Sequence, residues 1–340
     1  MSAEATSGPD FELADFTSAR ATIGGTIRRT PTVVSESLSK LCGVPVYLKL
    51  EHLQETGSFK LRGAANAVLS LSEAAKAKGV VGVSTGNHGR GLAHAARQAG
   101  VRCIICMSRL VPQNKVEAIE ALGAEVRIVG SSQDEAQIEV DRLVAEDGMT
   151  LVPPFDHPDI IAGQGTLGLE ILEDVPDVHT VLVQLSGGGL ISGVASAIKA
   201  RRPEVQIIGM SMERGAAMAA SLDTGLPIQV PELPTLADSL GGGIGLANRY
   251  TFKTVRDLVD KVVLLSEAEI AAGIRHGYWQ ERQIVEGAGA VCMAALATGK
   301  VKPEGPTVAL LSGCNIDMRL HHRVISGEDV DVASDQQAEG

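Results

Sequence analysis

From Val46 onward the chain alternates between short apolar runs rich in Val and Ile and longer segments of helical periodicity. This pattern constrains the fold more than any other feature. The run 79–84 precedes a predicted helix over 88–99. The run 101–107 precedes one over 113–122, and 125–129 precedes one over 133–145. A second series follows. A predicted helix over 166–173 leads to a strand over 180–185, a helix over 190–201 leads to a strand over 205–210, and 307–311 reads as a late buried strand. Such alternation predicts an α/β protein with mostly parallel sheets covered on both faces. The composition agrees: 44% of the 340 residues are hydrophobic but only 3% aromatic, so the core must be built from Ala, Val, Ile and Leu.

The length suggests roughly two domains. The segment 153–158, with prolines at 153, 154 and 158, is the expected crossing between the two series. The acidic, polar stretch 327–340 is expected to be disordered. A net charge of −11 argues against a broad nucleic-acid or membrane surface. No apolar run reaches about 18 residues, and residues 1–12 show no secretory pattern. The five cysteines are odd in number. Cys103 and Cys106 sit three apart on a predicted strand, point to opposite faces and cannot easily share a ligand. Reduced thiols in a cytoplasmic protein are the simplest account.

Four segments carry candidate chemistry. Lys60, in Thr56-Gly57-Ser58-Phe59-Lys60-Leu61-Arg62-Gly63-Ala64, falls in the first turn of a predicted helix, with Ser58 as a plausible cap. The free N–H groups of a helix start disfavour a cation there, and Arg62 adds further positive charge. A lysine so placed is biased toward the neutral amine that attacks a carbonyl. It reads as a Schiff-base lysine for an aldehyde cofactor or, taken alone, as a surface lysine. Ser186-Gly187-Gly188-Gly189-Leu190 joins a strand to a helix, as a single-phosphate cradle or a tight packing turn. Its spacing fits neither the dinucleotide fingerprint nor the P-loop. Ser84-Thr85-Gly86-Asn87-His88-Gly89-Arg90 also joins a strand to a helix. It could hold a carboxylate and a phenolic oxygen, or it could be a capping turn with Thr85 or Asn87 as the cap. His88 could serve there as a base or as a structural histidine. Ser312-Gly313-Cys314-Asn315 ends the last buried strand. Strand-end loops of an open α/β sheet meet in one crevice. A phosphate cradle, a carboxylate cradle and an amine together ask for pyridoxal phosphate and an amino acid.

With these residues assembled, the chain resembles the fold-type II (tryptophan synthase β-like) pyridoxal-phosphate enzymes, and within them the serine/threonine dehydratase and serine racemase group. The resemblance runs from Arg28 to Asn315. It is carried by Gly57-Ser58-Phe59-Lys60-Leu61-Arg62-Gly63-Ala64, Gly86-Asn87-His88-Gly89, Ala162-Gly163-Gln164-Gly165-Thr166, Ser186-Gly187-Gly188-Gly189-Leu190 and Ser312-Gly313. It implies a large cofactor-binding domain from 1–78 and 153–326, a small mobile domain from 79–152, and a homodimer. It implies that Lys60 binds the cofactor covalently with Phe59 beside the ring. Asn87 would bond the ring 3-oxygen, Ser186 to Leu190 the phosphate, and Ser312 the pyridine nitrogen. Ser84 to His88 would bind the substrate carboxylate.

The implied reaction is loss of the β-hydroxyl from a 3-hydroxy amino acid, ending as a 2-oxo acid and ammonia. A serine at the ring nitrogen makes a weak electron sink, which favours departure of the hydroxyl with or just after proton loss. The alternatives are a racemase, a β-replacement synthase and a non-catalytic amino-acid-binding regulator. Thr85 stands where the racemase has a catalytic serine, and Ser239 replaces a usual glycine. Glu213 matches the first ligand of the group's divalent-metal site, giving an expectation of Mg²⁺, but Ala219 stands at the next ligand position. Arg90 could pair with a second substrate carboxylate, as in 3-hydroxyaspartate, or make a domain-interface ion pair. The chain also looks like dehydratases of 3-hydroxyaspartate and hydroxyectoine breakdown.

Overall fold

The computed structural model describes residues 11–84, 86–109, 111 and 113–333. Its strands are β1 (Thr32–Val34), β2 (Val46–Lys49), β3 (Val80–Val83), β4 (Cys103–Met107), β5 (Glu125–Ile128), β6 (Thr150–Leu151), β7 (Thr180–Gln184), β8 (Gln206–Met212), β9 (Lys261–Leu265) and β10 (Thr307–Leu310). They form two sheets, one ordered β1-β2-β10-β7-β8-β9 and one ordered β5-β4-β3-β6. Every pairing is parallel except β1 with β2. In the larger sheet β10 lies between β2 and β7, with Thr307 opposite Val46 and Thr180.

Alternating residues feed separate cores, as the pleat requires. On β7, Leu182 packs with the helix Gly287–Ala297 on one face, while Val181 and Val183 pack with the helix Gly189–Lys199 on the other. On β4, Cys103 and Cys106 enter different apolar clusters. Both are free thiols whose pKa is raised by burial, which fits packing roles. No helix among the described residues is long and apolar enough to cross a membrane.

Two expectations need correction. The crossing segment does not keep the chain irregular as far as 166: a helix runs Pro158–Asp174. Pro158 occupies its first turn, where a missing N–H costs nothing. Disorder also does not begin at 327. Val330 is buried against the core around Val324, and Arg275 Nη2 donates to the Glu328 carbonyl at 2.8 Å. Residues 334–340 lie outside the described part.

The helix Lys60–Leu69 is held on the helix Pro158–Asp174 by close contact and by charge. A Cβ on Gly163 would lie 2.6 Å from the Arg62 carbonyl, so only glycine permits this crossing. The fully buried Arg62 donates from Nε to Glu51 Oε2 at 2.8 Å and from Nη1 to Glu170 Oε1 at 2.7 Å. Lys49 joins Glu170 Oε2 at 2.7 Å. Two cations and two carboxylates thus cancel beneath the helix that begins at Lys60.

Candidate active site

The Lys60 amine lies above that helix. Nζ donates to the Pro154 carbonyl at 2.8 Å and stands 5.4 Å from the centre of the Phe59 ring. Burial lowers its pKa to about 8, against the opposing pull of Glu286. The cause differs from the one expected, because the charge of Arg62 is absorbed by Glu51 and Glu170. Ser58 does not cap the helix either: Phe59 is the capping residue, without a side-chain bond, and the buried Ser58 hydroxyl has no partner among the described residues.

The glycine loop reaches the amine through the neighbour of Pro154. A Cβ on Gly187 would lie 2.4 Å from the Phe155 ring, and one on Gly189 would lie 2.9 Å from the Phe155 backbone. Gly188 has φ +92°, a conformation that side chains other than glycine's resist. Among the described residues nothing accepts from the backbone N–H groups of Gly187, Gly188, Gly189 or Leu190. Ser186 is half-buried and Leu190 is buried. Four successive free donors at the start of the helix Gly189–Lys199 suit a phosphate.

The loop after β10 closes the opposite side. Phe59 N–H donates to the Ser312 carbonyl at 3.0 Å, and Ser58 bridges Gly313. Ser312 is 3% exposed, and its hydroxyl has no partner among the described residues. Asn87, buried at the start of the helix Asn87–Gln98, donates from Nδ2 to Glu286 Oε1 at 2.7 Å and accepts from Asn315 Nδ2 at 2.6 Å. Lys60, Phe59, Asn87, the glycine loop and Ser312 therefore surround one place.

Other residues behave differently from expectation. Thr85 lies outside the described residues. Gly86 holds the cap position of the helix, and Ser84 Oγ, not the Asn87 side chain, accepts from Gly89 N–H at 2.9 Å and from Gly86 N–H at 3.3 Å. His88 is not poised as a base. Its Nε2 lies 2.8 Å from the Val152 carbonyl, and burial pushes its pKa down to about 3. Arg90 is half-buried and makes no side-chain hydrogen bond or ion pair among the described residues, so the interface ion pair is absent; its charged surroundings are Cys314 and Glu286. Ser239 is near Glu286 and bonds Asp238 through N–H and Oγ.

The structure gives the metal expectation at Glu213 no support. Glu213 Oε1 lies 3.4 Å from Lys300 Nζ, which also meets Glu269 Oε2 at 2.7 Å, so one ammonium is shared between the two carboxylates and already occupies the face a cation would need. Among the described residues no cluster of three ligating side chains exists. Glu286 is the site residue that no motif announced. Its only sequence signal is an acid immediately before the small-residue helix start Gly287-Ala288-Gly289.

Comparison with known proteins agrees with this geometry. The family model described as pyridoxal-phosphate dependent enzyme matches residues 23–313. A Sinorhizobium fredii protein provisionally named a threonine dehydratase is 60% identical over 319 residues, covering 94% of this chain and 96% of that protein. The L-threonine ammonia-lyase of Thermotoga maritima is 43% identical over 315 residues, covering 92% and 78%. The solved structure of maize serine racemase is 32% identical with a TM-score of 0.88, covering 94% of this chain and 98% of that one. A family match spanning most of the chain, together with a site that sets an amine beside free phosphate donors, identifies the chain as a fold-type II member of the pyridoxal-phosphate dependent enzymes.

Proposed function

We propose that this enzyme is a pyridoxal-phosphate-dependent dehydratase (ammonia-lyase). It would remove the β-hydroxyl of a 3-hydroxy amino acid and release a 2-oxo acid and ammonia. One observation carries the reading: a half-buried amine with pKa about 8 shares the Pro154-Phe155 segment with a loop whose four backbone donors are unanswered among the described residues. The residues fit the cofactor, since the backbone N–H groups of Gly187 to Leu190, free of partners among the described residues at a helix start, suit its phosphate. When bound, pyridoxal phosphate supplies an aldehyde for an amine and an electron sink for the substrate α-carbon.

The chain's own groups then have separable tasks. Lys60 holds the aldehyde and later accepts the α-proton at Nζ, a task suited to an amine half-deprotonated near pH 8. Gly187 to Leu190 bind phosphate through their N–H groups. The Ser312 hydroxyl, a weak acid without a partner among the described residues, would face the ring nitrogen without fully protonating it. The Ser84 to His88 loop takes the substrate carboxylate through backbone N–H groups, because the His88 ring is committed to Val152. Lys60→Ala should abolish turnover and the borohydride-trapped label at position 60. Retained turnover refutes the assignment. The assay follows ammonia and 2-oxo acid from threonine, serine and 3-hydroxyaspartate. Inversion at the α-carbon with the hydroxyl retained would instead make it a racemase.

Arg90 favours a finer reading, 3-hydroxyaspartate as substrate. A half-buried guanidinium that makes no ion pair among the described residues is costly, and a second substrate carboxylate would supply one. Arg90→Ala should lower kcat/KM for 3-hydroxyaspartate by about 10- to 100-fold while changing that for threonine little. An unchanged preference for 3-hydroxyaspartate in the variant removes the argument.

A further inference from the structure

Glu286 ties together three loops from two parts of the molecule. It is 3% exposed and occupies the cap position of the helix Gly287–Ala297. Its Oε1 accepts from Asn87 Nδ2 at 2.7 Å, and its Oε2 accepts from the Asn315 backbone N–H at 3.0 Å. Asn315 Nδ2 in turn donates to Asn87 Oδ1 at 2.6 Å and to the Thr56 carbonyl at 2.9 Å. A Cβ on Gly313 would lie 2.6 Å from Glu286 Oε1, so that glycine makes room for the carboxyl.

This network has one consistent assignment. The Thr56 carbonyl can only accept, so the Asn315 amide must turn its NH₂ that way. Asn87 must then offer its oxygen to Asn315 and its NH₂ to Glu286. A side-chain amide has two N–H groups, and Asn87 keeps one uncommitted. Asn87 follows β3 of the four-stranded sheet, whereas Glu286 and Asn315 belong to the part built on the six-stranded sheet. The bonds therefore span both parts across the site.

We propose that Glu286 is a positioning residue that holds the Asn87 amide with one N–H reserved for the cofactor and latches the four-stranded part against the six-stranded part. The cofactor role rests on the pyridoxal-phosphate reading; the latch does not. Other charged or titratable groups around the carboxyl are Asp238 from the turn Asp238–Leu240, Lys60 from the helix Lys60–Leu69, Arg90 from the helix Asn87–Gln98, and Cys314 from the loop after β10. Burial and Asp238 push the carboxyl up to about 7. The buried carboxyl holds its proton more tightly than an exposed one would, so the closed arrangement favours the acid form and the latch loosens as pH rises toward neutrality.

Glu286→Gln tests this. The Gln oxygen can still accept from Asn87, but its NH₂ then faces the Asn315 N–H donor to donor. In apoprotein without cofactor, amide exchange over 86–91 should accelerate about tenfold or more, while the helix Gly189–Lys199 stays protected. The wild-type dependence of that exchange on pH between 6 and 8, after correction for intrinsic exchange, should vanish in the Gln variant and survive in Glu286→Asp, which keeps the charge. Cofactor affinity, titrated by absorbance, should fall about tenfold in Glu286→Gln and no further in the Asn87→Ala/Glu286→Gln double variant than in Asn87→Ala alone. Unchanged exchange over 86–91, a Gln variant that keeps the pH dependence, or additive losses of affinity would overturn the proposal. The exchange arm needs no cofactor, so it stands or falls separately from the label at Lys60.

Discussion

Lys60 and Arg62 are two residues apart on one helix, the first half-buried and the second fully buried, and their surroundings are opposite. Arg62 meets Glu51 and Glu170 in near-ideal forked contacts, with Lys49 closing the set. Each charge there has an answering charge, and Glu51 is held below the usual carboxylate range by Arg62 despite its burial. Across the helix, Lys60 has a carbonyl for its partner, Glu286 has amides, and His88 has a carbonyl. None of the three is closed into an ion pair, and their pKa values move to about 8, about 7 and about 3. The buried ion set fixes where the helix lies. The unpaired set leaves groups near the point of gaining or losing a proton, the condition that chemistry needs.

Removing one member from each set should have opposite consequences for stability. Arg62→Leu leaves the buried Glu51 without its guanidinium and Glu170 with Lys49 alone, and should destabilise the protein by about 3–5 kcal/mol, read from urea unfolding of the apoprotein. Lys60→Met removes an amine that is costly to charge. Its pKa is about 8 folded and 10.5 as reference, so the unfolded chain binds more protons between those values and stability rises with pH across that window. Below pH 8 the full cost is present, and Lys60→Met should be more stable than wild type there while inactive. If Arg62→Leu proves neutral, or Lys60→Met is the less stable of the two, the division between a holding face and a reactive face is wrong.

Much of this arrangement was legible in the sequence, for physical reasons. Glycine clusters where a strand becomes a helix, and Gly187 to Gly189 mark a place where the backbone must pass close to Phe155 and Thr251. The parallel strands showed as apolar runs because both faces of each sheet are covered. What stayed hidden depended on contacts distant in the chain. Glu286 lies 199 positions from Asn87, and nothing local distinguishes it from any helix-capping acid. Arg62 looked like an added charge beside Lys60 because Glu51 and Glu170 reach it only after folding. Glu213 suggested a metal because Lys300 is far away in sequence. Helix Pro158–Asp174 began earlier than expected because one proline can either stop a helix or start one.

The smallest effect expected here separates two of the unpaired groups from each other. His88 has a pKa of about 3 folded against a reference of 6.5, so the unfolded chain binds the extra proton between those values. Its contribution makes stability fall as pH drops from 6.5 toward 3. Glu286, at about 7 folded against 4.5, binds its proton more tightly in the native state. Its contribution makes stability fall as pH rises from 4.5 to 7. Between 4.5 and 6.5 the two slopes oppose, and the wild type conceals both. Glu286→Gln should therefore make stability climb more steeply with pH in that interval, by up to about 1.4 kcal/mol per pH unit, and His88→Gln should tilt it the other way by a similar amount. Urea midpoints of the apoprotein at half-unit pH steps resolve the difference. Equal slopes in both variants and wild type would mean that neither group carries its shift, and the reactive face would then rest on Lys60 alone.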